Sequence, residues 1–341
     1  MSTAAVVTSA PPRSMPRPID QAAAMGIPEG EWLTRHAPGR VRRIKVPARQ
    51  LLPRLTALGT VMSLTRNAHC VHEKDGVWDK IEIGGAMGLV LNHAIDLRLF
   101  LTHWAHGYAV ETPLETGGTR HSLQFFDRAG VAVHKIFARP ATDMAAWEAL
   151  VAEVSEEDPP APLAAEPVAA PPADRPDDAI AIEAVRQRWA ALADVHDFFA
   201  LLRAEEVGRL QAMRLAGPPY SRPVPTTAVQ PLLEAAARDG VPIMCFVGNR
   251  GCIQIHSGPI HRVVPMGPWL NILDPGFNLH LRIDQVAHTF AVWKPQRDSA
   301  VHSVELFAAD GTLVAQFFGE RKPGVPEIAA WRDLVQGLPD A

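Results

Sequence analysis

The six residues Asn249-Arg250-Gly251-Cys252-Ile253-Gln254 restate Asn67-Ala68-His69-Cys70-Val71-His72 from the first half of the chain. Working outward, Phe277-Asn278-Leu279-His280-Leu281 lies as far beyond the second hexapeptide as Ile95-Asp96-Leu97-Arg98-Leu99 lies beyond the first. Ser303-Val304-Glu305-Leu306-Phe307 then answers Ser122-Leu123-Gln124-Phe125-Phe126, and Ala329-Ala330-Trp331 answers Ala145-Ala146-Trp147, with little drift. Matches in one constant order mean an internal duplication, and its period is far too long for a solenoid. Each copy is a domain-sized unit rather than one supersecondary motif.

Each copy opens with a helix. In the second, Val229, Leu232, Leu233 and Ala236 form an apolar stripe, Thr226 or Thr227 suits the N-cap, and Gly240 suits the end. Alternation over Cys252–His256 and Leu279–Ile283 predicts strands. Val301–Phe307 and Thr312–Phe318 read as a hairpin around Asp310-Gly311, with Phe125–Val133 as its counterpart. A short closing helix carries Trp147 or Trp331. The expected fold is α+β: a duplicated domain with two large antiparallel β-sheets stacked and helices on their flanks.

Two stretches lie outside this pattern. Residues 1–18 are rich in Ala, Ser, Thr and Pro and predict a loose arm. Residues 155–178, with Pro159-Pro160 and Pro171-Pro172 among alanines and acids, have the composition of an exposed linker. The organisation is then an arm (1–18), a first repeat (19–154), a linker (155–178), and a helical segment followed by the second repeat (179–341). The halves differ in what precedes them: residues 180–216 have only a shorter counterpart around Trp32 to Arg43. One centre served by both halves fits that asymmetry better than two equal centres.

With 47% hydrophobic residues in 341, the chain can build a proper core, and a net charge of −4 speaks against general nucleic-acid binding. Cys70, Cys245 and Cys252 form no close-spaced metal pattern and suit a reducing compartment. No stretch reaches the roughly 18 apolar residues of a membrane span, and the N-terminus lacks the apolar core of a secretory signal. The expectation is a cytoplasmic protein without membrane insertion.

Several side chains stand out. Leu192, Val195, His196, Phe199 and Leu202 recur at helical spacing, which predicts a helix with one imidazole in an apolar stripe. That imidazole is either a core histidine bonded to a carbonyl or the ligand of an iron-centred, flat, apolar cofactor. Arg209, Lys294, Gln316, Arg321 and Lys322 either suit a pair of carboxylates or form a solvated rim. Arg98, between Leu97 and Leu99, either pairs with Asp96 or reaches over an open metal face as an outer partner. His69 and His72 have zinc spacing only on a helix, and their neighbours argue for a strand; His103 and His106 rank no higher. Phosphate loops, nucleophile motifs and paired catalytic carboxylates are not evident.

Longer motifs carry a resemblance. Gly248–Pro259, Gly267–Pro275, Phe277–Arg282 and Phe317–Gly324, with Arg66–Lys74 and Ile95–Phe100 in the first half, resemble the bacterial haem-utilisation proteins of the HemS/ChuS/PhuS type, over about Trp32 to Leu338. The resemblance implies one non-covalent haem b between the halves. It implies His196 as the proximal iron ligand and Arg98 as the distal group. It implies Arg209, Lys294, Gln316 and Arg321 on the propionate side, with Phe246 near the ring. Phe318 stands where some relatives carry a tyrosine, and Phe198 and Phe199 where some carry histidines. The implied role is to receive haem from an importer on the cytoplasmic side and deliver it to a haem oxygenase for iron release. The alternative is haem breakdown by the protein itself with an external electron donor.

Overall fold

The computed structural model describes residues 17–167, 173–297, 299–321 and 325–341. Most of the expected arm, Lys322 and part of the linker lie outside the described residues. The first half contributes α1 (Pro18–Ala24), α2 (Glu29–His36), β1 (Arg40–Arg43), α3 (Ala48–Leu51), β2 (Gly59–Arg66), β3 (Cys70–Val77), β4 (Ile81–Gly84), β5 (Met87–Leu91), β6 (Asp96–Phe100), β7 (His106–Pro113), β8 (Thr119–Phe126), β9 (Ala132–Thr142) and α4 (Met144–Val154). The second half contributes α5 (Ile182–Ala190), α6 (Phe198–Ala204), α7 (Arg209–Ala216), β10 (Ser221–Pro223), α8 (Val229–Arg238), β11 (Ile243–Gly248), β12 (Cys252–Gly258), β13 (Val263–Met266), β14 (Trp269–Asp274), β15 (Phe277–Arg282), β16 (His288–Gln296), β17 (Ser299–Phe307), β18 (Leu313–Gly319) and α9 (Ala329–Gln336).

These strands form two nine-stranded sheets, in the orders β1-β7-β8-β9-β2-β3-β15-β14-β13 and β10-β16-β17-β18-β11-β12-β6-β5-β4. The α+β expectation holds, with an exchange that repetition alone does not reveal. Each sheet takes six strands from one copy and three from the other. The seams are β12 on β6, with Ile253 opposite Arg98, and β15 on β3, with His280 opposite Val71.

The repeated hexapeptides are the turns that lead into the seams. Asn67 Oδ1 accepts from the amides of His69 and Cys70, which closes its own turn, while its Nδ2 donates across to the carbonyls of Gly248 and Val314. Asn249 does the same in reverse, closing its turn on Gly251 and Cys252 and donating to the carbonyls of Arg66 and Val133. Each asparagine thus satisfies buried backbone groups of the other copy.

The apolar stripe of α8 is buried as expected, but Ala228 holds its N-cap and no side chain caps it, so Thr226 and Thr227 do not play that part. Gly240 follows at φ +64, which a Cβ would make unfavourable. Trp147 and Trp331 are buried on α4 and α9. The linker is less bare than its composition predicts. Leu163 is buried beside Leu33 and Phe126, its amide donates to Thr34 Oγ1 at 2.9 Å, and the Glu166 amide donates to the Arg128 carbonyl at 2.8 Å. That part of the linker is a strap on the first copy.

Between the sheets lies a polar seam within the apolar core. Gln254 Nε2 donates to the Ser63 carbonyl at 2.9 Å, Thr65 Oγ1 lies 2.9 Å from His134 Nδ1, and Lys74 Nζ lies 3.1 Å from His256 Nδ1. His72 is fully buried on β3 with both ring nitrogens unpartnered, and its ring lies 5.0 Å from that of Phe277. The strand reading holds for His72, on β3, but His69 lies in the turn before that strand, and no group of three or more potential metal ligands occurs among the described residues. All three cysteines are free and buried, and burial pushes their thiols up, that of Cys252 to about 12.

Candidate functional site

The outward face of the second sheet collects most of the residues singled out from the sequence. Residues directly opposite in antiparallel pairs share a face. One row runs Glu305, Gln316, Phe246, Ile255 and Asp96 across β17, β18, β11, β12 and β6. The row beside it runs Gly248, Ile253, Arg98 and Leu89. Phe318, opposite Met244, belongs to the same face, and its ring meets that of Phe246 at 5.0 Å in an edge-on contact. Strand spacing of about 4.8 Å places β6, which carries Arg98, two strands, roughly 10 Å, from β11, which carries Phe246. The exchange of β6 is what brings Arg98, a first-copy residue, onto a face otherwise built by the second copy.

Helices α5 to α7 cover one side of this face through Trp189, Phe198, Leu202 and Ala212 packed on Phe290, Val292 and Phe307. The expected continuous helix through His196 does not form. α5 stops at Ala190, and the chain re-enters at a short 3-10 turn, Val195–Asp197, before α6 begins at Phe198. Asp194 causes the break: its carboxylate accepts from the His196 amide at 2.8 Å, a local cap that competes with the helical ladder. His196 is consequently not in an apolar stripe but 89% exposed at the side chain. The turn is tied to the sheet by the Arg297 amide, which donates to the Ala193 carbonyl at 3.1 Å.

The same Asp194 oxygen lies 2.6 Å from His196 Nδ1. A carboxylate only accepts, so Nδ1 carries the proton and Nε2 is the ring nitrogen left for another partner. A carboxylate behind the imidazole is the arrangement that orients histidine ligands of metals. The donor set therefore fits iron. The core-histidine alternative is excluded by the exposure.

The cationic residues divide. Arg209, first residue of α7, makes a two-pronged contact with Glu305 at 2.8 and 3.0 Å, and Lys294 Nζ donates to the same carboxylate at 2.6 Å. Lys294 also lies 4.6 Å from the centre of the Phe198 ring, and Arg209 lies 5.3 Å from it. Burial raises the Glu305 carboxyl, but Arg209 and Lys294 outweigh it and hold it below the usual range; burial lowers Lys294 to about 8. Glu305 was not marked as a site residue by its sequence, where it reads as one polar position of an alternating strand. The cluster carries one surplus positive charge beside Gln316. Arg321 donates to Gln296 and lies within electrostatic reach of Asp194, which places it at the His196 end of the face. Arg98 pairs with Asp96, two residues back on the same side of β6, and remains partly exposed.

Removing the charge of Glu305 leaves two cations, one of them buried, without a counter-ion. We expect Glu305→Gln to lower the unfolding free energy by about 3–5 kcal/mol, read as a lower urea midpoint at an unchanged m-value.

Residues 26–154 and 206–338 each match the model of the haemin-degrading HemS.ChuX domain, so the family signature itself occurs twice. The chain belongs to the HemS family. The hemin transport protein HemS of Yersinia enterocolitica is 42% identical over 320 residues, covering 94% of this chain and 92% of that protein. Holo-PhuS, a heme-binding protein from Pseudomonas aeruginosa, matches with a TM-score of 0.92 and 43% identity over 96% of this chain and 95% of that chain. ChuS, described as an Escherichia coli heme oxygenase, matches with a TM-score of 0.83 and 39% identity over 94% of this chain and 95% of that chain. The two HemS-family segments begin on either side of the His196 turn: residues 155–205 fall between them. His196 therefore belongs to neither repeated unit, in keeping with the unequal lead-ins of the two halves.

Proposed function

We propose that the chain is a haem-binding protein of haem utilisation that receives imported haem in the cytoplasm and delivers it for iron release. The observation that carries this reading is the His196–Asp194 pair, an exposed imidazole held at Nδ1 by a carboxylate. Haem is the cargo. His196 Nε2 supplies one bond to its iron, and Asp194 fixes the ring that makes the bond. Phe246, Phe318 and Ile253 receive the flat macrocycle. Arg209, Lys294, Gln316 and Arg321 form the carboxylate end, where the surplus charge of the Glu305 cluster and the guanidinium of Arg321 attract the two propionates. Arg98 approaches from the seam strand and donates to whatever oxygen ligand occupies the other side of the iron. A single metal bond, apolar contacts and exposed edges suit a carrier that must also release. A membrane importer and a haem oxygenase are the partners this role calls for. In the described residues no helix is long and apolar enough to cross a membrane.

Degradation by the chain itself is the second reading, favoured by the relative described as a heme oxygenase and by a distal guanidinium able to hold an oxygen ligand. Hemin-loaded protein supplied with a physiological reductase and catalase separates the two. A carrier yields no ring-opened product once peroxide is removed. Sustained turnover under catalase would replace the carrier reading with the enzyme.

A further inference from the structure

The second sheet has a cavity on its reverse side. Side chains alternate along β16 and β17, so Lys294 and Glu305 serve the His196 face while Trp293 and His302 belong to the face covered by α9. Trp293 and His302 stand directly opposite each other. Their backbones bond elsewhere: the Trp293 amide donates to the Tyr220 carbonyl at 2.7 Å, and the His302 amide donates to Glu327 Oε1 at 2.6 Å. Antiparallel pairs of this kind hold their side chains closest together. The same-face neighbours of the pair include Ala291 and Ala300, which fill little of the space beside it. A cavity of about 490 Å³ remains between the pair, α9 and the Pro218-Pro219 corner, within the size range of small-molecule sites.

The polar groups on its lining differ in how far they are engaged. Arg222 is fully engaged: it donates to the Asp340 carboxylate at 2.8 Å and to the carbonyls of Val335, Gln336, Leu338 and Pro339, closing the C-terminal end of α9. Arg332 is half-exposed and held loosely, with the Asp333 carboxylate at 3.7 Å, beyond hydrogen-bond range. Gln336 lies one turn further along the same face of α9.

His302 is braced from behind. Glu327 Oε2 lies 2.6 Å from its Nδ1, so Nδ1 carries the proton, and Nε2 has no hydrogen-bond partner among the described residues. The two side chains are only 11% and 4% exposed. Burying such a pair costs desolvation, and the ring that it orients still has an unused nitrogen on the cavity lining. The remaining walls, at Pro218, Pro219, Ala291 and Val335, are apolar. One loosely held guanidinium among apolar walls and a half-buried indole fits one carboxylate on a flat ring, not a polyphosphate.

We propose that this cavity binds an aromatic carboxylate of one or two fused rings. Trp293 takes the ring, Arg332 and the Gln336 amide take the carboxylate, and His302 Nε2 takes a polar substituent of the ring. The site shares no residue with the His196 face and does not rest on the haem reading.

The test is equilibrium dialysis of the full chain against 2-naphthoate. The native chain should take up one equivalent, and saturating hemin should not displace it. The uncharged analogue 2-naphthamide should bind about tenfold more weakly or worse, and Arg332→Gln should weaken 2-naphthoate by a similar factor. Ala300→Trp, which fills the cavity from a strand position that suits an aromatic residue, should abolish uptake. Near-ultraviolet circular dichroism checks that both variants fold, and Arg332 is exposed enough for its replacement to be tolerated. Absence of saturable uptake, or uptake unchanged in both variants, would overturn the proposal. Equal binding of the amide would overturn the carboxylate assignment, and displacement by hemin would move the probe to the His196 face and overturn the site. If hemin itself fails to bind, the haem reading falls while the naphthoate result stands by itself.

Discussion

His196→Ala is expected to lower hemin affinity by more than about 100-fold, exceeding the roughly 10–100-fold that loss of an outer partner such as Asp194 costs. The variant should fold, because the side chain is almost wholly exposed and its backbone turn is held by Asp194, whose bond to the residue 196 amide survives the change. The spectrum of residual bound hemin should lose the features of an imidazole ligand. Arg98→Ala provides the contrast: its ion pair with Asp96 is partly exposed, so affinity should change little while bands sensitive to the opposite ligand shift. An unaltered Soret band in His196→Ala would remove His196 from the iron.

The second large effect is acid instability. His72, His134 and His256 are buried between the sheets and held neutral, with burial as the main cause and, for His72 and His256, the Lys74 ammonium as a contributing one. Burial lowers His134 and His256 to about 3, from an unfolded value of 6.5. Their folded-state pKa values lie below the unfolded ones, so the unfolded chain takes up protons first as pH falls below 6.5. Stability is then complete above 6.5 and is lost progressively down toward 3. Each histidine contributes about 1.4 kcal/mol per pH unit in that window, so three together approach about 4 kcal/mol per unit. Against a total of about 5–15 kcal/mol, the fold should open between about pH 5 and 4. Urea midpoints at pH 7, 6 and 5 check this, and His134→Phe should flatten the slope. A midpoint independent of pH over that range would show that these rings are not kept neutral by the fold.

Much of the architecture was legible because the repeat is long and its strands alternate cleanly. The partner of each seam strand was not. The two copies carry nearly the same edge residues, so Cys252–Ile255 pairs equally well on paper with either copy's counterpart of β6, and pattern alone leaves the choice open. The His196 segment shows the opposite case. The residue was legible and its setting was not, because the spacing of Leu192, Val195 and Phe199 promised a helix that Asp194 interrupts with a single side-chain contact. Glu305 was invisible as a hub since its importance lies in Arg209, brought from a helix almost a hundred positions earlier. The Asp96 partner of Arg98 could be read directly, being two residues away on the same side of a strand.

The reciprocal loan of three strands has an evolutionary corollary. A lone ancestral copy would expose raw edges on both remnants, so it is expected to have lived as a homodimer whose subunits traded those strands about a twofold axis. Joining the genes end to end freed the two faces from being identical. Arginine on one side and histidine on the other, at matched positions 98 and 280, are what that freedom looks like.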